Sequence, residues 1–573
     1  MEVYRIDDVP LIYAQLQEMK LQELIDQSIP THGNWQGISL GNVLVIWLSY
    51  LISEGDHRLS PVESWVFQNL LWLQSLTGLS NLTSKDLTDD RLEQALDYLS
   101  EDSNWSSFAS VFEANTLSIY DLDSETIRLD AAPMQGHHRI KPEGLFQKGY
   151  HKQHANLGQF KIMLASLDNK VNQFGYPLFH KVFSGEKADD ILYYPVLKDC
   201  NDLFKGQGDH TGKLIVGDSK MGSKFLRHSI TEMGHSYLVP LSKVQLSNEK
   251  RKELINNSLS DEFEQVYKND KLVAKGFEVL REMNYTDKSE QNHNWKERLI
   301  FVLSSHYAKS QRIAFDKKMK STQALLLELA VPKQGKVKIE SKQTLILRID
   351  EILKAKSLQD CLKVEVIEII LEKQKRKYGN LPARTEYITQ FQIKVKIEEQ
   401  VVEEKKKLMG WQVYACTENK EKLSLEQCVW KYRAQNQIEK RFDDLRNKIA
   451  PLIPIHLQKD NRVQALVHLL MIALKAIALM EYKVAKSLAE KKQKLDNIYP
   501  GNPKQATKNP TAKRILTAFK GISIVVFKKK TKKKVLIELT DISQNQKKII
   551  KLMGFKSSIY KKLKQNIKFS FST

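Results

Sequence analysis

The chain has 573 residues, 42% hydrophobic and 27% charged, enough apolar sequence to bury several cores without covalent staples. A net charge of +21 and a pI near 9.4 point to a polyanionic partner: DNA, RNA or an anionic membrane. The four cysteines, Cys200, Cys361, Cys416 and Cys428, form no Cys-x-x-Cys pair. That argues against a disulfide framework or a zinc finger and for a reducing, intracellular setting.

The opening MEVYRIDDVPLIYAQ carries acids where a secretory signal needs a cationic start and an apolar run. Residues 1–118 then read as a helical N-terminal domain. Ile12 to Ile29 has Leu and Ile at helical spacing, and Leu40 to Ile52 is a strongly apolar helix. Ser60-Pro61 suits an N-cap followed by Pro at the first helical position. Asp89-Asp90-Arg91 opens a further helix, DDRLEQALDYLS. Such a domain serves DNA binding, packing or dimerisation, and its composition does not separate these.

From about residue 120 the period changes. TIRLDAA (Thr126 to Ala132) is a short strand ending at Asp130, QFKIMLASLD a second and GYPLFHKVFSG a third, with QFGYP a turn before it. ADDILYYPVLKDC is a helix. KLIVGD is an apolar, buried-type strand ending at Asp218. KMGSKFLRHSI is a helix and HSYLVPL a strand. Three strands, a helix, then strand–helix–strand is the order of a ribonuclease H-like fold, whose site residues gather at strand ends. Residues 119–241 are therefore expected to be the first part of an α/β ribonuclease H-like core.

Residues 242–408 break this rhythm and are expected to form an insertion of mixed structure. It has charged helical stretches (Ser247 to Asp270, Gln359 to Arg376) and β-like ones (Arg298 to Ser304, Val337 to Ile339, Phe391 to Ile397). Residues 409–490 return to the core. GWQVYACT is a strand, and YRAQNQIEKRFDDLR (Tyr432 to Arg446) reads as one amphipathic helix. At about 100° per residue Ile438, Phe442, Leu445 and Ile449 share one stripe, and Tyr432, Gln435, Glu439 and Arg446 fall within about 60° on an adjacent one. The first stripe anchors the helix; the second presents one carboxylate among hydrogen-bonding and cationic groups. The apolar run Val463 to Met480 contains His468 and Lys475, and is expected to be a buried core helix rather than a membrane span. The basic C-terminal region, 491–573, holds most of the charge: from 501 onward there are 19 Lys and Arg against two acids, Glu538 and Asp541. FKKKTKKKVLIELT suggests a hairpin with a basic turn and KLMGFKSSIYKKLKQ a basic helix. Apolar and aromatic residues between the lysines favour a folded nucleic-acid contact over a solvated tail.

Three carboxylates brought together hold two divalent cations about 3.5–4 Å apart for in-line displacement at phosphorus. Hard ions such as Mg²⁺ or Mn²⁺ prefer such oxygen donors. Asp130 and Asp218 at strand ends, with Glu439 from a helix, are the candidates, provided that the two strands are neighbours. His137, His138, His151 and His154 lack partnering cysteines and read as polar loop or substrate contacts rather than a zinc site. Gly217 and Gly222 are not followed by a Gly-Lys-Ser/Thr sequence, so nucleotide hydrolysis is unsupported.

These segments together resemble the bacterial insertion-sequence transposases of the Asp-Asp-Glu class, in the branch with a Tyr–x2–Arg–x3–Glu–x6–Lys signature and a β-rich insertion before the glutamate. The resemblance is carried by IRLDAAPMQG, FQKGYHKQHANLGQFKIMLASLD, GYPLFHKVFSGEKADDILYYP, LIVGDSKMGS and YRAQNQIEKRFDDLR. GDHRLSPVESWV, TDDRLEQAL and YPGNPKQATKNPTAKRIL extend it over nearly the whole chain. It implies a ribonuclease H-like core with Asp130, Asp218 and Glu439 as catalytic and metal-binding residues for Mg²⁺ or Mn²⁺, two ions. Tyr432 and Arg446 would contact DNA phosphate, with Arg433, Gln435 and Arg441 beside them. Two positions depart from the signature. Gln435 stands where the family has arginine, with Arg433 or Arg441 as candidate substitutes, and Arg446 stands where the family has lysine.

The expected protein is thus a DNA transposase that cleaves and joins insertion-sequence ends. Its partners would be double-stranded terminal inverted repeats and target DNA, bound as a homo-oligomer in the bacterial cytoplasm at the nucleoid, with no membrane role. The alternatives are a catalytically decayed, DNA-binding relative and a plain metal-dependent nuclease on the same fold.

Overall fold

The computed structural model describes every residue except 123–124, 150–156, 169–170, 172–174, 207, 209–211, 260–262, 332–340, 377–381, 383, 530–533 and 568–573. The protein is a mixed α/β chain with several sheets. After strand β1 (Glu2–Arg5), six helices follow: α1 (Val9–Glu18), α2 (Leu21–Ser28), α3 (Leu40–Glu54), α4 (Ser60–Thr77), α5 (Asp89–Ser100) and α6 (Asp102–Tyr120). The expected single run from Ile12 to Ile29 breaks between α1 and α2, where Lys20 takes a left-handed φ of 54°. Ser39 and Thr88 cap α3 and α5 through their hydroxyls. Ser60 does not cap: α4 starts one residue earlier than expected, with Leu59 as the flanking residue.

Next come β2 (Thr126–Gly136), β3 (Gly158–Leu167), β4 (Tyr176–Ser184), α7 (Tyr193–Gly206), β5 (Leu214–Val216), α8 (Lys224–Glu232), β6 (Ser236–Pro240) and α9 (Asn248–Asn257). Strand β2 does not end at Asp130, because its antiparallel pairing with β3 runs on to Gly136. Strands β7 (Glu264–Lys268), β8 (Lys271–Thr286) and β9 (Asn292–Ser304) follow, then α10 (Ser305–Leu329) and α11 (Lys342–Lys356). After these come β10 (Leu362–Lys375), β11 (Arg384–Ile397), α12 (Glu399–Lys407) and β12 (Trp411–Cys416).

Nine strands make the central sheet in the order β4-β3-β2-β5-β6-β12-β9-β8-β7. Pairings β2–β5 and β5–β6 are parallel and the rest antiparallel. Residues 264–304, within the expected insertion, thus extend this sheet, whereas α10, α11, β10, β11 and α12 stand apart around their own small core. The stretch Gln359 to Arg376, expected to be helical, is instead mainly strand β10, paired over its length with β11. Likewise Ser247 to Asp270 is helical only through α9 and then enters β7. Val337 to Ile339, the first two residues of QFGYP and the tip of the basic hairpin lie outside the described residues.

The remaining elements are α13 (Leu425–Arg433), α14 (Asn436–Asp443), α15 (Asp460–Glu490), α16 (Ala512–Thr517), β13 (Ser523–Lys529), β14 (Lys534–Leu539), α17 (Gln544–Leu552) and α18 (Ser558–Asn566). The expected single helix from Tyr432 to Arg446 is interrupted. It comprises the end of α13, a break at Ala434–Gln435, α14, and one π-helical turn over Asp444–Lys448.

Side chains alternate across the sheet, so its two faces feed two cores. Ile215, Tyr237 and Val239 face the main core, which holds α15. Leu214, Val216 and Leu238 face α13, with Cys428 and Val429. Among the described residues α15 alone is long and apolar enough to cross a membrane, and 94% of its apolar window is buried in the protein. It is the central helix of the core.

Candidate active site

Register brings the two aspartates together. In the parallel β2–β5 pair the last rung is Arg128 with Val216. Asp130 and Asp218 each stand two residues beyond that rung, on adjacent parallel chains, where β5 has ended and the cleft opens. Asp218 is held from two sides: its Oδ1 accepts from the Tyr193 hydroxyl at 2.6 Å and from the Lys220 amide at 2.8 Å. Asp130 accepts from the Ala131 amide at 2.9 Å.

The third acid arrives from the helical side. Arg128, buried under the site, forks onto Asp168 at 2.5 and 2.8 Å and donates to the Lys431 carbonyl at 2.6 Å. Lys431 in turn donates to Thr126 Oγ1 at 2.8 Å. These bonds clamp the end of α13 onto β2. Beyond the break, α14 buries Ile438 and Phe442 and leaves Glu439 exposed.

Electrostatics show which groups share the site. Burial pushes Asp130 up to about 7, with the negative charges of Asp218 and Glu439 adding to it and Arg446 opposing. Tyr432 is raised to about 12, first by burial and then by Asp218, Asp130 and Glu439. Burial and Asp218 push the Tyr193 phenol far upward too. Asp130, Asp218, Glu439, Tyr432 and Arg446 therefore lie in one field. Among the described residues, however, no three His, Cys, Asp or Glu side chains stand close enough to form a finished metal-ligand group. The acids are gathered but not converged. As oxygen donors with surplus negative charge, they suit a hard divalent cation.

The other expected contact residues divide. Tyr432, Arg433 and Gln435 line a cavity of about 470 Å³ together with Tyr307, Gln412 and Tyr414. The Tyr432 ring lies 4.7 Å from that of Tyr414, and the Arg433 guanidinium 5.5 Å from the Trp430 ring. Arg441 is a correction to its expected DNA contact. It is 0% exposed, and its guanidinium donates to the Gly175 carbonyl (2.8 Å), Glu481 (2.9 Å) and Asp444 (3.3 Å). It fixes α14 in the core and has no path to a ligand. It therefore cannot stand in for the arginine that Gln435 replaces.

Just after Asp218 in the chain, Ser219 and Lys220 border an open groove of about 780 Å³ that also includes Lys148, Lys161 and Lys187 and the acids Glu186, Asp189 and Asp190, with Lys161 paired to Asp189 at 2.7 Å. His138 is spent on Phe146, with ring centroids 3.8 Å apart, and on the Leu457 carbonyl at 2.6 Å. His137 is exposed, and His151 and His154 lie outside the described residues. All four cysteines are buried free thiols. Sequence reasoning missed Arg128, Tyr193 and Glu481. A buried-strand arginine and the YY pair were the only local signals for the first two, and Glu481 gave none.

Comparison with curated proteins finds no match for this chain. Residues 1–112, the six-helix region up to most of α6, match a family model described as a domain of unknown function, DUF4277.

Proposed function

We propose that the chain is a DNA transposase of the Asp-Asp-Glu class, cleaving and joining the ends of an insertion sequence. The observation that carries this reading is the equal placement of Asp130 and Asp218 on adjacent parallel chains, with α14 bringing Glu439 into the same field. The strand order β4-β3-β2-β5-β6, antiparallel through β2 and parallel thereafter, supports a ribonuclease H-like core.

In this reading Asp130, Asp218 and Glu439 hold Mg²⁺ or Mn²⁺, which would supply charge stabilisation at phosphorus and a more acidic nucleophile. The chain's own residues do the rest. Arg446 offsets part of the negative charge. Tyr432, Arg433 and Gln435 border a cavity and position the DNA strand entering it. Lys148, Lys187 and Lys220 of the groove after Asp218 take backbone phosphates. Exposed Lys547, Lys551, Lys556, Lys561, Lys562 and Lys564 on and around α17 and α18 add a second phosphate-binding surface.

The test is cleavage and strand transfer on a labelled duplex bearing the element's end, with Mg²⁺ or Mn²⁺, comparing wild type with Asp218→Asn and Glu439→Gln. Metal-dependent nicking and joining, lost in both variants while DNA binding persists, is the expected result. Cutting without joining would make the protein a nuclease. End binding without chemistry would make it a DNA-binding relative, a reading that Gln435 and the unconverged acids favour over the nuclease.

A further inference from the structure

We infer that Tyr193 is a positioning residue for divalent-cation binding by Asp218, a role that rests on the carboxylate reading of the site. The chain places two tyrosines in succession at the start of α7 and treats them oppositely. Tyr194 is 37% exposed and lies against Phe225, with ring centroids 5.3 Å apart. Tyr193 is 1% exposed. A buried phenol must find an acceptor, and a backbone carbonyl would serve. Tyr193 donates instead to a carboxylate at 2.6 Å, the length of a charge-assisted hydrogen bond.

The consequence for Asp218 is geometric. Oδ1 carries two donors, the Tyr193 hydroxyl and the Lys220 amide, one from a helix and one from the loop after β5. Two donors from different elements fix the carboxylate's side-chain torsions. Among the described residues no hydrogen bond reaches Oδ2, so that oxygen is left to bind a cation. The same phenol lies in the field of Asp130. Partners of this kind orient metal-binding groups, and their loss costs about 10–100-fold in metal affinity.

The experiment uses the full chain and Mn²⁺ alone as the probe. Calorimetric titration of Mn²⁺ into wild type, Tyr193→Phe and Asp218→Asn is paired with thermal melting and DNA binding in EDTA. Tyr193→Phe keeps the buried ring. The expected result is Mn²⁺ affinity about 10–100-fold weaker in Tyr193→Phe, with melting midpoint and metal-free DNA binding unchanged. The Mn²⁺ concentration for half-maximal cleavage should rise by the same factor, with the rate restored at saturation. Unchanged Mn²⁺ affinity in Tyr193→Phe, when wild type binds and Asp218→Asn does not, overturns the inference and leaves the functional reading standing. Loss of melting midpoint and DNA binding in Tyr193→Phe overturns it too, since the phenol would then be structural. Absence of any Asp218-dependent Mn²⁺ binding in wild type overturns both.

Discussion

Substituting Glu481 should loosen the helix that carries Glu439, although residue 481 lies 42 positions away in sequence. Its carboxylate, 1% exposed, accepts from Lys440 at 2.7 Å, from Arg441 at 2.9 Å and from the Ala512 amide at 2.8 Å. Lys440 and Arg441 immediately follow Glu439. At an effective dielectric of about 20, charges roughly 2.8 Å apart attract by about 6 kcal/mol, much of which desolvation offsets. Removing one member of a buried pair leaves its partners uncompensated and costs about 3–5 kcal/mol. Glu481→Gln should therefore cost about 3–5 kcal/mol, read as faster amide exchange over residues 436–448 and a lower urea midpoint. The acid dependence has a definite sign. Although burial raises the Glu481 pKa, the opposing pull of Arg441 and Lys440 holds it below the ordinary glutamate value of 4.5. Its stabilisation is therefore complete above about pH 4.5 and is lost as pH falls through the folded value. A loss under about 1 kcal/mol, with exchange over α14 unchanged, would refute the reasoning, because the cluster would then be screened like a surface pair.

Asp130 has the opposite sign. Its folded pKa of about 7 exceeds the ordinary aspartate value of 3.8, so the folded state keeps a proton that the unfolded chain has lost. Its contribution is full below about pH 4 and disappears as pH rises through 7; carboxyl NMR should place the metal-free titration near 7, and added Mg²⁺ should lower it. A metal-free midpoint near 4 would contradict the burial of this carboxyl beside Asp218 and Glu439. Arg441→Ala should destabilise the protein by about 3–5 kcal/mol in denaturant unfolding. It should leave the salt dependence of DNA binding unchanged; a shallower slope would restore its expected DNA contact. Joint replacement of Lys551, Lys561 and Lys562 by Gln should reduce that slope by about 2–3, at roughly 0.9 for each phosphate no longer neutralised, with melting unchanged. An unaltered slope would remove α17 and α18 from the DNA path.

Local pattern carries a good part of the fold into view. The apolar runs at Thr126, Gln159 and Lys213 mark strands because their residues are largely buried, and a short apolar run survives in sequence. Pairing does not: that Arg128 meets Val216, and so that Asp130 stands level with Asp218, depends on a register set by contacts some 88 residues apart. Strand β10 reads as a helix in sequence because its ribbon is largely exposed beyond its base and carries charges on both faces, which blurs the alternation. The break at Gln435 is equally hidden. Helical spacing continues through it, and only the Arg128 clamp on the Lys431 carbonyl shows where α13 must end. Arg441 reads as a surface cation because its partners, Gly175 and Glu481, come from distant elements.

The long helix α15 explains how a basic terminal region can act with a carboxylate site so far from it in sequence. The segment matching DUF4277 does not close on itself. Strand β1 pairs with β13 from the C-terminal region, and Tyr560 of α18 donates to the Asp7 carbonyl at 2.9 Å. Both chain ends thus form one unit, and it sits on α15. Lys483 pairs with Glu18 of α1, Lys475 with Glu113 of α6, and Arg462 grips Asp97 of α5 at 2.8 Å. Lys475 also donates to the Leu178 carbonyl of β4 at 2.9 Å, and Glu481 holds α14. One buried helix therefore has charged contacts to the terminal unit, to the sheet edge and to the segment carrying Glu439. If DNA docks on the lysines of α17 and α18, α15 sets the distance between that surface and the acids. The position of the cut along the DNA would then be fixed by a rigid element rather than by a tether.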